Sequence, residues 1–174
     1  MKPIRLLTGL LFTLTFTTTM CAQKTQPDIP RYTKVPTGYL MVLRQGDNIF
    51  EELEAFAAKE NVPSANSTGM GFVNITFGFF DFEKKDYDPI REFKDVELAS
   101  MHGTIAWQNG EPSIHTHGVI TGKDFIAHGG HILSGTVSTG SLEIMIIVHD
   151  KQLERVKEKA LGANVLCVSN QCRE

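Results

Sequence analysis

Five of the six histidines in this 174-residue chain fall between Glu97 and His131, in the stretch ELASMHGTIAWQNGEPSIHTHGVITGKDFIAHGGH. Three of them could act together. His115 and His117 alternate, and alternating residues of a β-strand point to one side with their Cα atoms under ~7 Å apart. His131 follows two glycines, where a bend could carry it toward the pair. Neutral imidazole nitrogens ligate borderline divalent ions, so three histidines beside an open position would suit zinc or a related metal. The same residues could instead bond neighbouring carbonyls or carboxylates and hold a polar core together. His102 reads as a partner or satisfied core histidine rather than a fourth ligand, and His128 and His149 as strand-end residues in contact with solvent.

Glu143 is the carboxylate to consider beside them. It interrupts the apolar run SLEIMIIVH, and a buried carboxylate needs a donor, a cation or a metal; otherwise it must protrude at a solvated rim. In a metal-activated hydrolase or lyase it would be the catalytic proton acceptor. Serine and cysteine catalysis ranks below this, because there is no GxSxG elbow and Cys167 and Cys172 lie in the tail, far from the histidines in sequence.

The elements needed to position these side chains can be read in order. Residues 1–22 read as an export signal: Lys2 and Arg5 precede the apolar Leu6–Phe16 run, which is shorter than a membrane span of ~20 residues, and the small Ala22 follows. Lipidation at Cys21 is the alternative and would be the chain's one tie to a membrane. It fits less well, because Thr18, Thr19 and Met20 lack the small residue expected before such a cysteine. The expected location is outside the cytoplasm, periplasmic or secreted. Removing the signal takes two of the 17 basic residues from a chain with 20 acidic ones, deepening a net charge of -3, and no basic stripe remains; no nucleic-acid partner is expected. An apolar content of 41% supports one ordinary core.

Residues 23–37 carry three prolines and read as a flexible or edge-hugging lead-in to a domain over 38–150. Gly38–Arg44 reads as a strand. Asn48 with Glu51 reads as a capping box opening a helix, whose Phe50, Leu53, Phe56 and Ala57 form one apolar stripe. Such a helix needs a sheet to lie on. Ser67–Gly71 reads as a turn, and Phe72–Phe82 as a strand in which Gly78 could mark a bulge. Residues 83–94 read as a solvated loop or edge hairpin, with the option of covering a pocket mouth. Asn109-Gly110 should fold Val96–Trp107 back onto Ser113–Ile120 as a hairpin. Residues 151–174 read as a short helix and tail, with Leu153, Val156 and Ala160 on one side.

With these residues in view, the chain resembles the plants-and-prokaryotes-conserved (PPC) domain. The resemblance rests on GMGFVNITFGFFD at 69–81, VELASMHGTIAWQNGEPSIHTHGVI at 96–120 and AHGGHILSGTVSTGSLEIMI at 127–146. The family's histidine pair falls on His115 and His117, its glycine-histidine position on Gly130 and His131, and its strand glutamate on Glu143. The resemblance implies a single compact α+β domain, a curled, largely antiparallel sheet with a packed helix, assembled as a homotrimer. It is compatible with a histidine pocket holding a divalent metal or a small anionic ligand, and with a purely structural trimer serving protein interaction. Plant members carry DNA-gripping AT-hooks ahead of the domain, and no RGRP-like segment occurs here.

Overall fold

The computed structural model describes residues 29–169. The export segment, Cys21 and Cys172 lie outside the described residues. Elements follow in the order β1 (Tyr32–Val35), β2 (Gly38–Arg44), α1 (Ile49–Lys59), β3 (Ser64–Asp81), β4 (Asp86–Gln108), β5 (Glu111–Thr121), β6 (Ala127–His149), β7 (Glu154–Glu158) and β8 (Ala163–Cys167).

Long antiparallel strands make the frame. β3 pairs with β4, β4 with β5, β5 with β6, and β6 with β3, so these four strands close on themselves. β2 extends the sheet along β6, and β1 along β2. One helix against a curled, mainly antiparallel sheet is the α+β architecture expected. The sheet's inner side carries Met41, Leu43, Val73, Met101, Leu142 and Ile144, each at most 1% exposed.

Helix α1 begins where its capping residues place it. The Asn48 side-chain oxygen accepts from the Phe50 and Glu51 backbone N–H groups at 3.0 and 3.4 Å. Glu51 closes the motif on the Asn48 side-chain amide at 3.0 Å rather than on its backbone. Ile49, Leu53, Phe56 and Ala57 are buried against the sheet, while Phe50 is only partly covered. Asn48→Ala should cost about 1 kcal/mol in a urea denaturation series, since two N-terminal donors lose their acceptor.

From Tyr32 the lead-in runs along the sheet edge as β1: the Tyr32 ring meets Phe56 edge-on at 4.9 Å and its hydroxyl donates to Glu60 at 2.7 Å, which fixes β1 beside β2. Several expectations are corrected. Ser67–Gly71 is not a turn but lies within β3. Its glycines serve close approach, since a Cβ on Gly71 would stand 2.3 Å from the Ser141 carbonyl oxygen. The bulge at Gly78 is present, and it turns Phe79 outward to 67% exposure while Phe77 stays buried.

The helix read over 151–159 is instead the first strand of the β7–β8 hairpin. A helix of nine residues is marginal without packing. Here β-branched Val156 faces Val165, and Trp107 at the end of β4 donates its backbone N–H to Leu153 at 2.9 Å. β7 then runs parallel to β4 through one pairing, Trp107 with Glu154. Cys167, at the end of β8, is disulfide-bonded.

Candidate metal centre

The Asn109-Gly110 turn forms with both residues at positive φ, 54° and 86°, and sets the β4–β5 register. In that register His102 faces His117 and Thr104 faces His115. β6 then brings His131 directly opposite His117. Residues opposite one another in an antiparallel pair share a face, so the register aligns His102, His117 and His131 across three strands, with His115 two residues along. The core lies on the other side, where Thr116, Gly118 and Ile120 are buried.

His115, His117 and His131 converge as anticipated. One nitrogen from each lies within 4.8 Å of the others. His131 Nδ1 and His117 Nε2 are 3.3 Å apart, and Zn–N bonds of 2.0–2.1 Å in a tetrahedron give an N–N edge of ~3.3 Å. One edge of the donor set therefore matches a tetrahedral divalent ion with a position left open, and the wider separations, up to 4.8 Å, would have to close around it. His131 arrives differently from the expectation. Gly129 and Gly130 make no corner; they are in-strand residues of β6, and a Cβ on Gly129 would meet the Gly118 carbonyl oxygen at 2.7 Å. Gly129 lets β6 close onto β5.

Burial lowers the His115 pKa, helped by Arg155 and His117. Burial also drops His131 to about 4, with His115, His117 and Arg155 adding to the effect. Both imidazoles are thus neutral at pH 7, the state a metal ligand needs. An unfolded histidine titrates near ~6.5, so between that pH and about 4 the unfolded chain holds a proton that folded His131 does not. Stability of metal-free protein should accordingly fall as pH drops through this window and level off below it. Urea melts at intervals from pH 7 to pH 4 would show the slope, and His131→Gln should flatten it.

Three further histidines stand outside the trio, although His102 is opposite His117 and His128 lines the same pocket as the trio. His102 is exposed and pairs with the Ser100 hydroxyl at 2.9 Å. His128 is exposed near the start of β6, and His149, at its end, meets the Asn66 side-chain oxygen at 3.2 Å. Glu143 takes the solvated option. It is exposed and opposite Met70, and it lies twelve residues along β6 from His131, a long way at ~3.3 Å per residue. The fold therefore does not bring it to the histidines of its own chain.

The histidines open onto a pocket of about 860 Å³, within the range usual for small-molecule sites. Phe77, Phe80, Phe82, Tyr87 and Phe93 supply an aromatic wall. Tyr87 stacks on His131 with centroids 4.8 Å apart, so the β3–β4 hairpin does reach the pocket. The residue the sequence reading missed is Arg155, which falls within the segment read there as a short helix. It is 7% exposed, lines the pocket and donates from Nη2 to the Thr104 hydroxyl, opposite His115. The available signal was two five-residue segments containing valine, flanking Gly162 at positive φ: a hairpin pattern.

The family model of the Plants and Prokaryotes Conserved (PCC) domain matches residues 31–150. Among solved structures, a "putative DNA-binding protein" from Ralstonia eutropha JMP134 is 48% identical, with a TM-score of 0.77 over 80% of this chain and 96% of that one. A plant- and prokaryote-conserved protein from Pyrococcus horikoshii is 28% identical, with a TM-score of 0.68 over 77% and 92%. A metal-containing protein from Archaeoglobus fulgidus is 25% identical, with a TM-score of 0.67 over 74% and 91%. No curated protein matches the chain significantly.

Proposed function

Because the chain belongs to the Plants and Prokaryotes Conserved domain family, we propose that it is an exported homotrimer in which His115, His117 and His131 hold a divalent metal, zinc foremost, at the inner end of a small-ligand pocket. The observation carrying this reading is the 3.3 Å approach of two imidazole nitrogens, with a third histidine beside them and an 860 Å³ pocket in front. The metal-containing relative supports it from outside the chain. Bound there, the ion would supply Lewis acidity. The three imidazoles would fix its position, and the aromatic wall would limit water around it.

Self-association is supported by an apolar strip on the outer sheet face. Met70, Met145 and Ile147 are 60%, 37% and 47% exposed and alternate with Thr68 and Asn66 across the β3–β6 pairing. Such a strip is usually covered. Export rests on the order of charge, apolar run and small residue in the first 22 positions. Two relatives bear the words DNA binding, whereas this chain has a net charge of -3. We keep the expectation of no nucleic-acid partner, and a gel-shift titration at low salt checks it.

A hydrolase or lyase remains the second reading, favoured by the open metal position. In it Glu143 would have to come from a second copy of the chain, since its own lies far along β6. The deciding experiment uses tag-free protein lacking the first 22 residues, reconstituted with zinc, manganese, iron or nickel. Elemental analysis should find one ion per chain, and light scattering three times the monomer mass. No stoichiometric metal with any of the four would overturn the metal centre, and a concentration-independent monomer would overturn the trimer. Fractionation should find the processed chain outside the cytoplasm.

A further inference from the structure

Arg155 raises a question that the metal reading leaves unanswered. Arg155 is 7% exposed, yet among the described residues no carboxylate pairs with it, and Nε has no acceptor. Thr104 takes one of its five donors. A buried, permanently charged group left in this state is costly unless something else supplies the negative charge. The pocket's own lining does not. It contains Arg91, Arg155 and Lys157 and neither an aspartate nor a glutamate.

We propose that Arg155 is an anion-binding residue and that the pocket takes a monocarboxylate with an apolar or aromatic body, its carboxylate on the guanidinium beside His115 and its body along Phe80, Phe82 and Tyr87. The planar guanidinium matches a carboxylate in shape and charge. A monoanion matches the single buried cation, since Arg91 and Lys157 are exposed and remain solvated. In the metal-free pocket, a phosphate dianion would enter an aromatic chamber with half its charge uncompensated. The body follows from the walls, which have no use for a purely polar ion.

The location of Arg155 adds to the case. It lies on β7, beyond the 31–150 stretch matched by the family model. The histidines lie within that stretch.

This assignment rests on the same pocket as the metal reading, so the test keeps the two apart. Phenylacetate, 2-phenylethanol and inorganic phosphate are titrated calorimetrically into zinc-loaded and metal-free full-length protein, with zinc content measured on each sample. Phenylacetate should bind at least about tenfold tighter than 2-phenylethanol, the scale of a buried charged hydrogen bond. Arg155→Met, which keeps the stem, should retain its zinc and lose that preference. Equal binding of acid and alcohol to the unmutated protein overturns the proposal without any variant being needed. Tighter binding of phosphate than phenylacetate, or undiminished preference in a folded Arg155→Met, overturns it as well. If zinc fails to bind but the metal-free protein still prefers the acid, the metal reading falls and the Arg155 assignment stands.

Discussion

His117→Ala should abolish stoichiometric metal while leaving the fold and assembly intact. His117 is the exposed member of the trio, opposite His131 and 3.3 Å from it, so its ring contributes a ligand atom but little packing. Partners that only orient a metal ligand already cost 10–100-fold in affinity when removed, and loss of the ligand itself should cost more than ~100-fold. Elemental analysis after dialysis would read this directly, with circular dichroism and light scattering on the same sample. Retention of one ion per chain would place the metal elsewhere. Binding by the unmutated protein should also weaken as pH falls toward about 4, where protons compete for the His131 nitrogen.

Phe56→Ala should be the most destabilising of the substitutions considered, by about 3–5 kcal/mol. The ring is 2% exposed and sits between Tyr32 at 4.9 Å and Tyr39 at 4.8 Å, both edge-on. Both tyrosine hydroxyls donate to Glu60 at the end of α1. Truncation thus opens a cavity and loosens the clasp joining β1, β2 and the helix. Phe125→Ala is the control: that side chain is 83% exposed, and its removal should shift a urea midpoint little. Equal effects from the two would contradict the packing described.

Local chemistry made part of this structure readable in advance. Asn109-Gly110 has one strongly preferred hairpin conformation, so the pairing of β4 with β5 was legible, and with it the common face of His115 and His117. Asn48 followed by Glu51 fixed the start of α1 for a similarly local reason. Features set by distant partners were not legible. Gly129 and Gly130 read as a corner because glycine permits bending, whereas both lie within β6 and Gly129 admits the β5 backbone, which no window around it contains. Glu143 sits in an apolar run because its outward face is itself apolar, with Met145 and Ile147 beside it. Arg155 was missed because Leu153, Val156 and Ala160 happen to match a helical spacing, while the competing strand pairs with Ala163–Cys167 and docks on Trp107, more than forty residues earlier.

The attachment of β7 and β8 has a consequence for how the protein should breathe. The four central strands have neighbours on both sides along much of their length, so opening any of them means breaking the ring. The C-terminal hairpin is joined to that ring by one parallel pairing and a few side-chain bonds. Its amides should exchange with solvent deuterium at a far lower opening free energy than those of β3 or β6. Since it also carries Arg155, a bound anion would tie this loosest piece to the most rigid one, and the slowing of exchange across Glu154–Glu158 would report occupancy of the pocket.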